Sequence, residues 1–340
     1  MTADAFTIQW VLEKIKNEYP DDIALAVIHN PTKLTPNDDH FGFFIPVTKR
    51  GEQLARTFIL EGVGLDVWGV SWERVENFAA LNEYYVGVLP DAEVIYARTP
   101  ADAQRFEALQ KLCLANLADP IRSRRAALES FERAKGIFTD LMFADSPSDL
   151  RCGAGYVLDF LARAIAFTNH TYFKLAQMDQ LTELARMENV PAGFTELYTK
   201  VMNETDGERQ IALCREIIAL TGGFLEAQSP AHEPPERNFQ DLSDWYAELA
   251  YTWLRIRHYT SIGRADMAFM SAIMLQNELY EVCADFGLAK MELIDAWNPA
   301  DPAALVARAD ALEQQMREII VSHGAVIHEY ATQEAFLREV

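Results

Sequence analysis

Short apolar runs separated by turn residues dominate the first hundred residues of the chain. The runs at 23–28 and 41–47 are apolar throughout, which is typical of strands that are covered on two sides. A Gly-containing turn separates two further runs, as in a β-hairpin. The predicted elements, in chain order, are a helix from residue 6, strands at 23–28, 41–47, 58–60 and 65–68, a helix at 72–80 and a strand at 93–97. This order indicates an α+β domain.

From Pro100 to the end of the chain, apolar residues recur at helical spacing, which predicts an all-helical region. Asp301 is a predicted N-cap, and Pro302 would occupy the first position of the helix that follows. The prolines in the loop at 229–235 prevent a helix from continuing through it. The predicted domains are therefore 1–103 and 104–340, with the helical domain divided into two bundles near 227–240.

Two groups of residues in the helical region have competing interpretations. Gln276 and Glu278 follow a methionine stripe and could line a cleft, whereas a methionine stripe usually fills a core. Trp245, Trp253 and Trp297 could lie at an interface as easily as in a core. A homo-oligomer that forms through the helical domain is therefore one hypothesis for this region.

The charge of the chain narrows the partners that it can bind. Its 340 residues carry a formal net charge of −21. Binding to nucleic acid or to an anionic membrane surface relies on clustered Lys and Arg, so neither partner is expected. A small-molecule substrate or a nucleotide is the expected partner, and any phosphate group must meet a local basic residue.

The cysteines and the N-terminus indicate an intracellular setting. The four cysteines are far apart and form no CxxC pair, which argues against a zinc site or a redox motif. The first residues lack the basic and apolar segments of a signal peptide, and no apolar stretch reaches the length of a membrane span. We therefore predict a cytoplasmic protein.

Two acidic residues stand on or beside predicted strands. Asp39 comes just before the apolar run 41–47, and Asp66 lies between Leu65 and Val67 in the hairpin. Carboxylates on neighbouring strands suit Mg²⁺, which prefers oxygen ligands and neutralises charge at a reacting phosphate. Together with the loop after the first strand, these segments resemble the nucleotidyltransferase superfamily. The resemblance implies that Asp39 and Asp66 are two of three metal-binding and catalytic carboxylates.

The resemblance also implies an architecture and two cofactors. The chain is similar in layout to bacterial members, such as the antibiotic nucleotidyltransferases, that join a nucleotidyltransferase domain to a long helical domain. The expected fold is an α+β domain with a small mixed sheet, followed by an all-α helical bundle. The expected cofactors are Mg²⁺ and a nucleoside triphosphate. His29 and Asn30 stand where the family has Gly-Ser, and Lys49 and Arg50 could hold the triphosphate.

Phe41 occupies the position of the second aspartate of the family. A phenyl ring cannot coordinate Mg²⁺, so the usual arrangement of two metal ions lacks a shared ligand. In one hypothesis, Asp39 and Asp66 hold a single Mg²⁺ and the protein transfers a nucleotidyl group to a small acceptor. In the alternative, the protein has the fold of a nucleotidyltransferase but a degenerate active site, and it binds a ligand or another protein without chemistry.

Overall fold

The computed structural model describes residues 2–29, 39–83, 85–175, 177–228 and 237–339. The secondary structure of the first hundred residues follows the predicted order of elements. These elements are α1 (Ala3–Glu18), β1 (Ile23–His29), β2 (His40–Pro46), β3 (Arg56–Leu60), β4 (Val63–Val67), α2 (Trp72–Ala79) and β5 (Ala92–Ala97), with 3₁₀ turns at Gly51–Leu54 and Val86–Val88. The α+β character of this region is thus confirmed.

Helices account for nearly all the secondary structure of the rest of the described chain. They are α3 (Pro100–Ala118), α4 (Pro120–Leu141), α5 (Pro147–Thr168), α6 (Gln180–Leu184), α7 (Phe194–Asn203), α8 (Gly207–Ala227), α9 (Phe239–Ser261), α10 (Ala265–Phe286), α11 (Ala303–Ser322) and α12 (Gln333–Glu339), with a 3₁₀ turn at Ile294–Ala296. One boundary differs from the prediction, because Pro302 rather than Asp301 caps α11. Pro302 already has near-helical torsion angles, φ −64° and ψ −16°, so the difference is a single residue.

The strands form a three-stranded sheet and a hairpin. Strand β1 lies in the centre and pairs antiparallel with β2 on one side and with β5 on the other, so this three-stranded sheet is antiparallel and not the mixed sheet that was expected. Strands β3 and β4 form the hairpin. A parallel bridge between Phe44 and Gly69 joins β2 to the segment after β4, and the Phe44 N–H donates to the Trp68 carbonyl at 3.1 Å. Strand β2 therefore has a neighbour on each side.

Helices cover both faces of β1, which explains why its sequence is apolar throughout. On one face, Val11 and Ile15 of α1 pack with Phe44 and Val67. On the other face, residues of β1 and β2 share a core with residues of α3 and α5, among them Phe106. A strand that is buried on both faces reads as a continuous apolar run rather than as an alternation.

The contacts divide the chain into two compact units, Met1–Ser229 and Pro230–Val340. The division lies within the 227–240 segment that the proline-rich loop marks in the sequence. In the first unit, the sheet shares its core with α3 and α5, so these helices pack directly on the strands. The limits 1–103 and 104–340 that we inferred from the change of periodicity stay a prediction.

The second unit is built from helices α9 to α11 around a core of its own. Trp253 is fully buried in this core, and Trp245 and Trp297 pack against it. The packing gives all three tryptophans a role within the unit, while self-association stays a prediction. Among the residues that the structure describes, no helix has the length and the apolar content that a membrane crossing requires.

Candidate functional site

His29 ends β1 at one edge of the sheet, where it pairs with His40 and Ala92. Its Nε2 lies 3.2 Å from the carbonyl oxygen of Gly87. Burial lowers the pKa of His29 from its usual value of 6.5, and the contact with Gly87 and the charge of Asp91 oppose this effect only in part. A carbonyl can only accept, so in the neutral ring Nε2 carries the proton and Nδ1 is the acceptor.

A cavity of about 60 Å³ lies beside His29 within the first unit. Its walls come from four places in the sequence: the end of β1, the turn at 85–88, the last turns of α5 and the loop at 171–174. Gly87 allows two of these walls to approach closely, because a Cβ at this position would lie 2.9 Å from the Phe173 carbonyl oxygen. The cavity therefore depends on contacts between distant segments.

Arg163 of α5 forms the most deeply buried charged part of the cavity wall and is only 5% exposed. Its Nε lies 3.1 Å from both carboxylate oxygens of Asp159, one turn earlier in the helix. Gln180 donates to the same carboxylate at 2.6 Å, and the Tyr198 hydroxyl donates to Gln180 at 3.0 Å. The guanidinium also lies over the ring of Tyr85, 4.4 Å from its centroid. This buried polar network fixes the orientation of Arg163.

A second acidic residue, Asp91, holds the loop that follows α5. The Tyr172 hydroxyl donates to Asp91 at 2.9 Å, and the Lys174 ammonium lies 3.6 Å from the same carboxylate. Burial, and then the nearby Asp91, raise the pKa of Tyr172 well above its usual value, so its hydroxyl stays protonated. Glu183 accepts from the backbone N–H groups of Lys174 and Leu175 at 2.9 and 3.2 Å. Side chains thus hold the loop in place at several points.

The two predicted metal ligands lie on neighbouring segments of the sheet region. Asp39 directly precedes β2, at the same edge as His29. Asp66 lies on β4 opposite Thr57, whose hydroxyl donates to its carboxylate at 2.8 Å. Asp66 is exposed, whereas Leu65 and Val67 beside it are buried. The bridge between Phe44 and Gly69 places β2, which Asp39 precedes, beside the segment that follows β4, the strand of Asp66.

Two carboxylates, those of Asp39 and Asp66, would suit one Mg²⁺ ion. Mg²⁺ usually binds one or two carboxylates and completes its shell with water and phosphate oxygens. Phe41 packs against the core on the α1 side of the sheet. Within the described ranges, no three His, Cys, Asp or Glu residues are arranged to hold a metal ion. The assignment of Asp39 and Asp66 as ligands stays a prediction.

Lys49 and Arg50 lie at the opposite end of β2 from His29. They follow Pro46, which pairs with Ile23 at the start of β1. Six residue steps along an extended strand span about 20 Å, so these two residues and His29 do not lie together. Asn30 lies outside the described residues. The predicted role of these four residues in phosphate binding stays a prediction.

Arg50 also has contacts that account for its place in the sequence. Its Nη1 lies 2.6 Å from the carboxylate of Asp22, and its Nη2 donates to the Glu18 carbonyl at 2.7 Å. The Thr48 hydroxyl donates to the same aspartate at 2.5 Å and accepts from the Gly51 N–H at 3.0 Å. The four-residue segment that begins at Thr48 therefore fixes the turn after β2 to the end of α1.

Two charged residues of the cavity wall, Arg163 and Lys174, were missed by the sequence analysis. Asp159 and Arg163 are four residues apart within an otherwise apolar stretch of α5. Two opposite charges at this spacing in a buried helix are a signal that sequence reasoning could have used. Lys174 gives no comparable signal, because its place at the cavity depends on how the loop after α5 folds back.

Comparison with known proteins gives little further information. No family model matches the chain, and no curated protein matches it. Among solved structures, the chain is similar to a nucleotidyltransferase-like protein from Exiguobacterium sibiricum 255-15. The two are 15% identical, and the match covers 65% of this chain and 75% of the other, with a TM-score of 0.35. A TM-score this low does not establish a shared fold.

Proposed function

We propose that the first unit binds a nucleoside triphosphate with one Mg²⁺ at the sheet edge where β1 ends and β2 begins. Its activity is the transfer of the nucleotidyl group to a small hydroxylated or amino-bearing acceptor. The observation that carries the proposal is the bridge between β2, which Asp39 precedes, and the segment that follows β4, the strand of Asp66. His29 and a cavity lie at the end of β2 where Asp39 lies. Carboxylates on adjacent strands are the ligand type that Mg²⁺ selects.

The residues of the site have separate tasks in this proposal. Asp39 and Asp66 hold the ion, which neutralises charge at the reacting phosphate when it is bound. Asp66 is kept in place by the hydroxyl of Thr57. His29 is neutral near pH 7 because burial lowers its pKa, so its ring offers Nδ1 as a hydrogen-bond acceptor rather than a charge.

Calorimetry with the full chain tests the binding step. We expect ATP or GTP to bind in the presence of Mg²⁺, and expect Asp39→Asn and Asp66→Asn each to weaken that binding about tenfold, since each removes one anionic ligand of the ion. Asp140→Asn is the matched control, because Asp140 is an exposed residue of α4 and should leave the affinity unchanged. If the natural chain takes up none of these nucleotides with Mg²⁺, the proposal is wrong.

A second candidate function follows from Phe41. Its ring packs against a core cluster, so the position of the missing carboxylate contributes to the stability of the fold. In this second function, the same site binds a nucleotide but transfers no nucleotidyl group. Incubation with ATP labelled at the α-phosphate separates the two functions: label that moves to an acceptor supports the transferase, and binding with all of the label still in ATP supports the binding protein.

A further inference from the structure

The cavity beside His29 has a wall whose charges are all of one sign. Among its described lining residues the ionisable groups are Arg163, Lys174, His29 and two tyrosines, and no carboxylate is among them. The carboxylates that pair with the two cations, Asp159 and Asp91, are not part of the lining. A ligand in the cavity therefore meets the cations, with the paired acids outside the wall.

This local charge contrasts with the rest of the protein. The chain carries a formal net charge of −21, so its overall field repels anions. An anion binds such a protein only where a few basic groups converge and outweigh that field at short range. At the cavity wall, Arg163 of α5 and Lys174 of the loop that follows α5 supply these groups.

The burial of Arg163 argues for more than a structural role. Removing two charges from water is costly, and apolar residues of similar volume often stabilise a protein as well as a buried ion pair does. In this network, Asp159 holds the guanidinium in one orientation at the cavity, and Gln180 holds Asp159 in turn. A rigid, desolvated arginine is well suited to bind an oxyanion, because little conformational entropy is lost on binding.

The size of the cavity selects among oxyanions. A single water needs about 10–15 Å³ of such space, so a cavity of about 60 Å³ holds a group of roughly four to six heavy atoms. A phosphate group has five. Two cationic side chains from separate segments also suit a tetrahedral group with several oxygens better than a planar carboxylate, which a single guanidinium can satisfy.

We propose that this cavity binds the phosphate group of a small phosphorylated molecule. Arg163 is the buried anchor, and Lys174 contacts the phosphate from the rim. The exposed lining residues Tyr85 and Lys174 mark the opening through which the rest of the molecule extends. The cavity shares His29 with the proposed nucleotide site, but neither Asp39 nor Asp66 belongs to its wall, so the two proposals can be tested separately.

The test is calorimetry of the full chain with inorganic phosphate and, separately, with glycerol phosphate, at constant ionic strength and without metal or nucleotide. We expect saturable binding of both compounds at millimolar concentration. Three variants probe the wall: Ala166→Val, which fills space in the cavity, Lys174→Met, and the double variant Asp159→Leu with Arg163→Met, which removes the ion pair as a whole. Lys111→Met is the matched control, because Lys111 is a surface lysine whose ion pair lies within α3.

We expect Ala166→Val and the double variant to weaken binding by about tenfold or more, and Lys174→Met by about threefold, since Lys174 is partly exposed. Lys111→Met and Asp39→Asn should bind like the natural chain. The inference is overturned if the folded natural chain binds neither compound, if it binds inorganic phosphate alone, or if Ala166→Val and Lys174→Met bind phosphate unchanged. Ala166→Val and Lys174→Met still test the inference if the double variant does not fold.

The two proposals fail in different ways. Phosphate binding that survives Asp39→Asn, together with no response to nucleotide and Mg²⁺, leaves the cavity inference standing without the proposed function. Nucleotide binding that depends on Asp39, together with no binding of inorganic phosphate or glycerol phosphate, gives the reverse result. Both measurements can be made on the same protein preparations.

Discussion

At the scale of single residues, two adjacent basic side chains have different surroundings. Arg50 contacts Asp22 and the Glu18 carbonyl and lies over the ring of Tyr19, 5.2 Å from its centroid. Lys49 beside it is exposed. Asp22 is only 7% exposed, so the loss of a cationic partner leaves a nearly buried carboxylate with one side-chain donor fewer.

We therefore expect Arg50→Ala to destabilise the protein by about 1 kcal/mol, a value that allows for the solvent exposure of the arginine. Lys49→Ala should change the free energy of unfolding by less than about 0.5 kcal/mol. Urea titration of both variants followed by circular dichroism measures the difference. Equal effects of the two substitutions would contradict the role of Arg50 in holding the turn.

The same pair tests whether these residues bind phosphate. Both lie at the end of β2 that is remote from His29. We expect either variant, once folded, to bind nucleotide and inorganic phosphate like the natural chain. A tenfold loss of nucleotide affinity in Lys49→Ala at unchanged stability would instead show that the triphosphate binds at this end of the sheet.

At the scale of elements, a buried glutamine joins α10 to the segment that follows it. Gln276 donates to the Met291 carbonyl at 2.9 Å and accepts from the N–H groups of Leu293 and Ile294 at 2.6 and 3.1 Å. The sequence left open whether this residue lines a cleft or belongs to a core. In the structure it is 3% exposed and satisfies three backbone groups.

Gln276→Leu should therefore destabilise the protein by about 2–4 kcal/mol, because it leaves buried backbone groups without partners. Asn277→Ala is the matched control on the next, exposed position of α10, and we expect it to cost less than about 0.5 kcal/mol. The urea midpoints of the two variants provide the measurement. A Gln276→Leu variant as stable as the natural chain would show that the 291–294 segment does not need these hydrogen bonds.

At the scale of the whole molecule, the excess of acidic over basic residues affects the stability of the fold. The sequence has 51 acidic and 30 basic residues, and repulsion among the acids opposes the compact state. Salt shortens the range of this repulsion, from about 30 Å at 0.01 M to about 10 Å at 0.1 M ionic strength. The folded state should therefore be less stable at low ionic strength than at high ionic strength.

We expect the melting temperature at pH 7.5 to rise by about 2–4 °C when sodium chloride is raised from 10 to 150 mM, equivalent to roughly 1 kcal/mol. Choline chloride is the control, because screening does not depend on the identity of the cation. A melting temperature that is flat or falls with salt would show that attractive ion pairs outweigh the repulsion. A rise with sodium but not with choline would indicate a specific cation site instead.

The sequence by itself determined the elements. Strands β1 and β2 and the helical region after Pro100 follow from apolar periodicity and turn residues, and these are local properties. The candidate carboxylates Asp39 and Asp66 also came from the sequence, because each stands on or next to a recognisable strand. That Arg50 holds the turn after β2 was not visible there, since its partner Asp22 is 28 residues away.

Only the tertiary structure decided which side chains meet at the edge of the sheet. His29 and Gly87 are 58 residues apart, and Tyr172 and Asp91 are 81 residues apart. Such contacts depend on how α5 and the loop after it pack against β1, and no local pattern encodes that packing. The apolar run of α5 fixes only that Asp159 and Arg163 are buried as a pair. The cavity beside them exists because distant segments close around it.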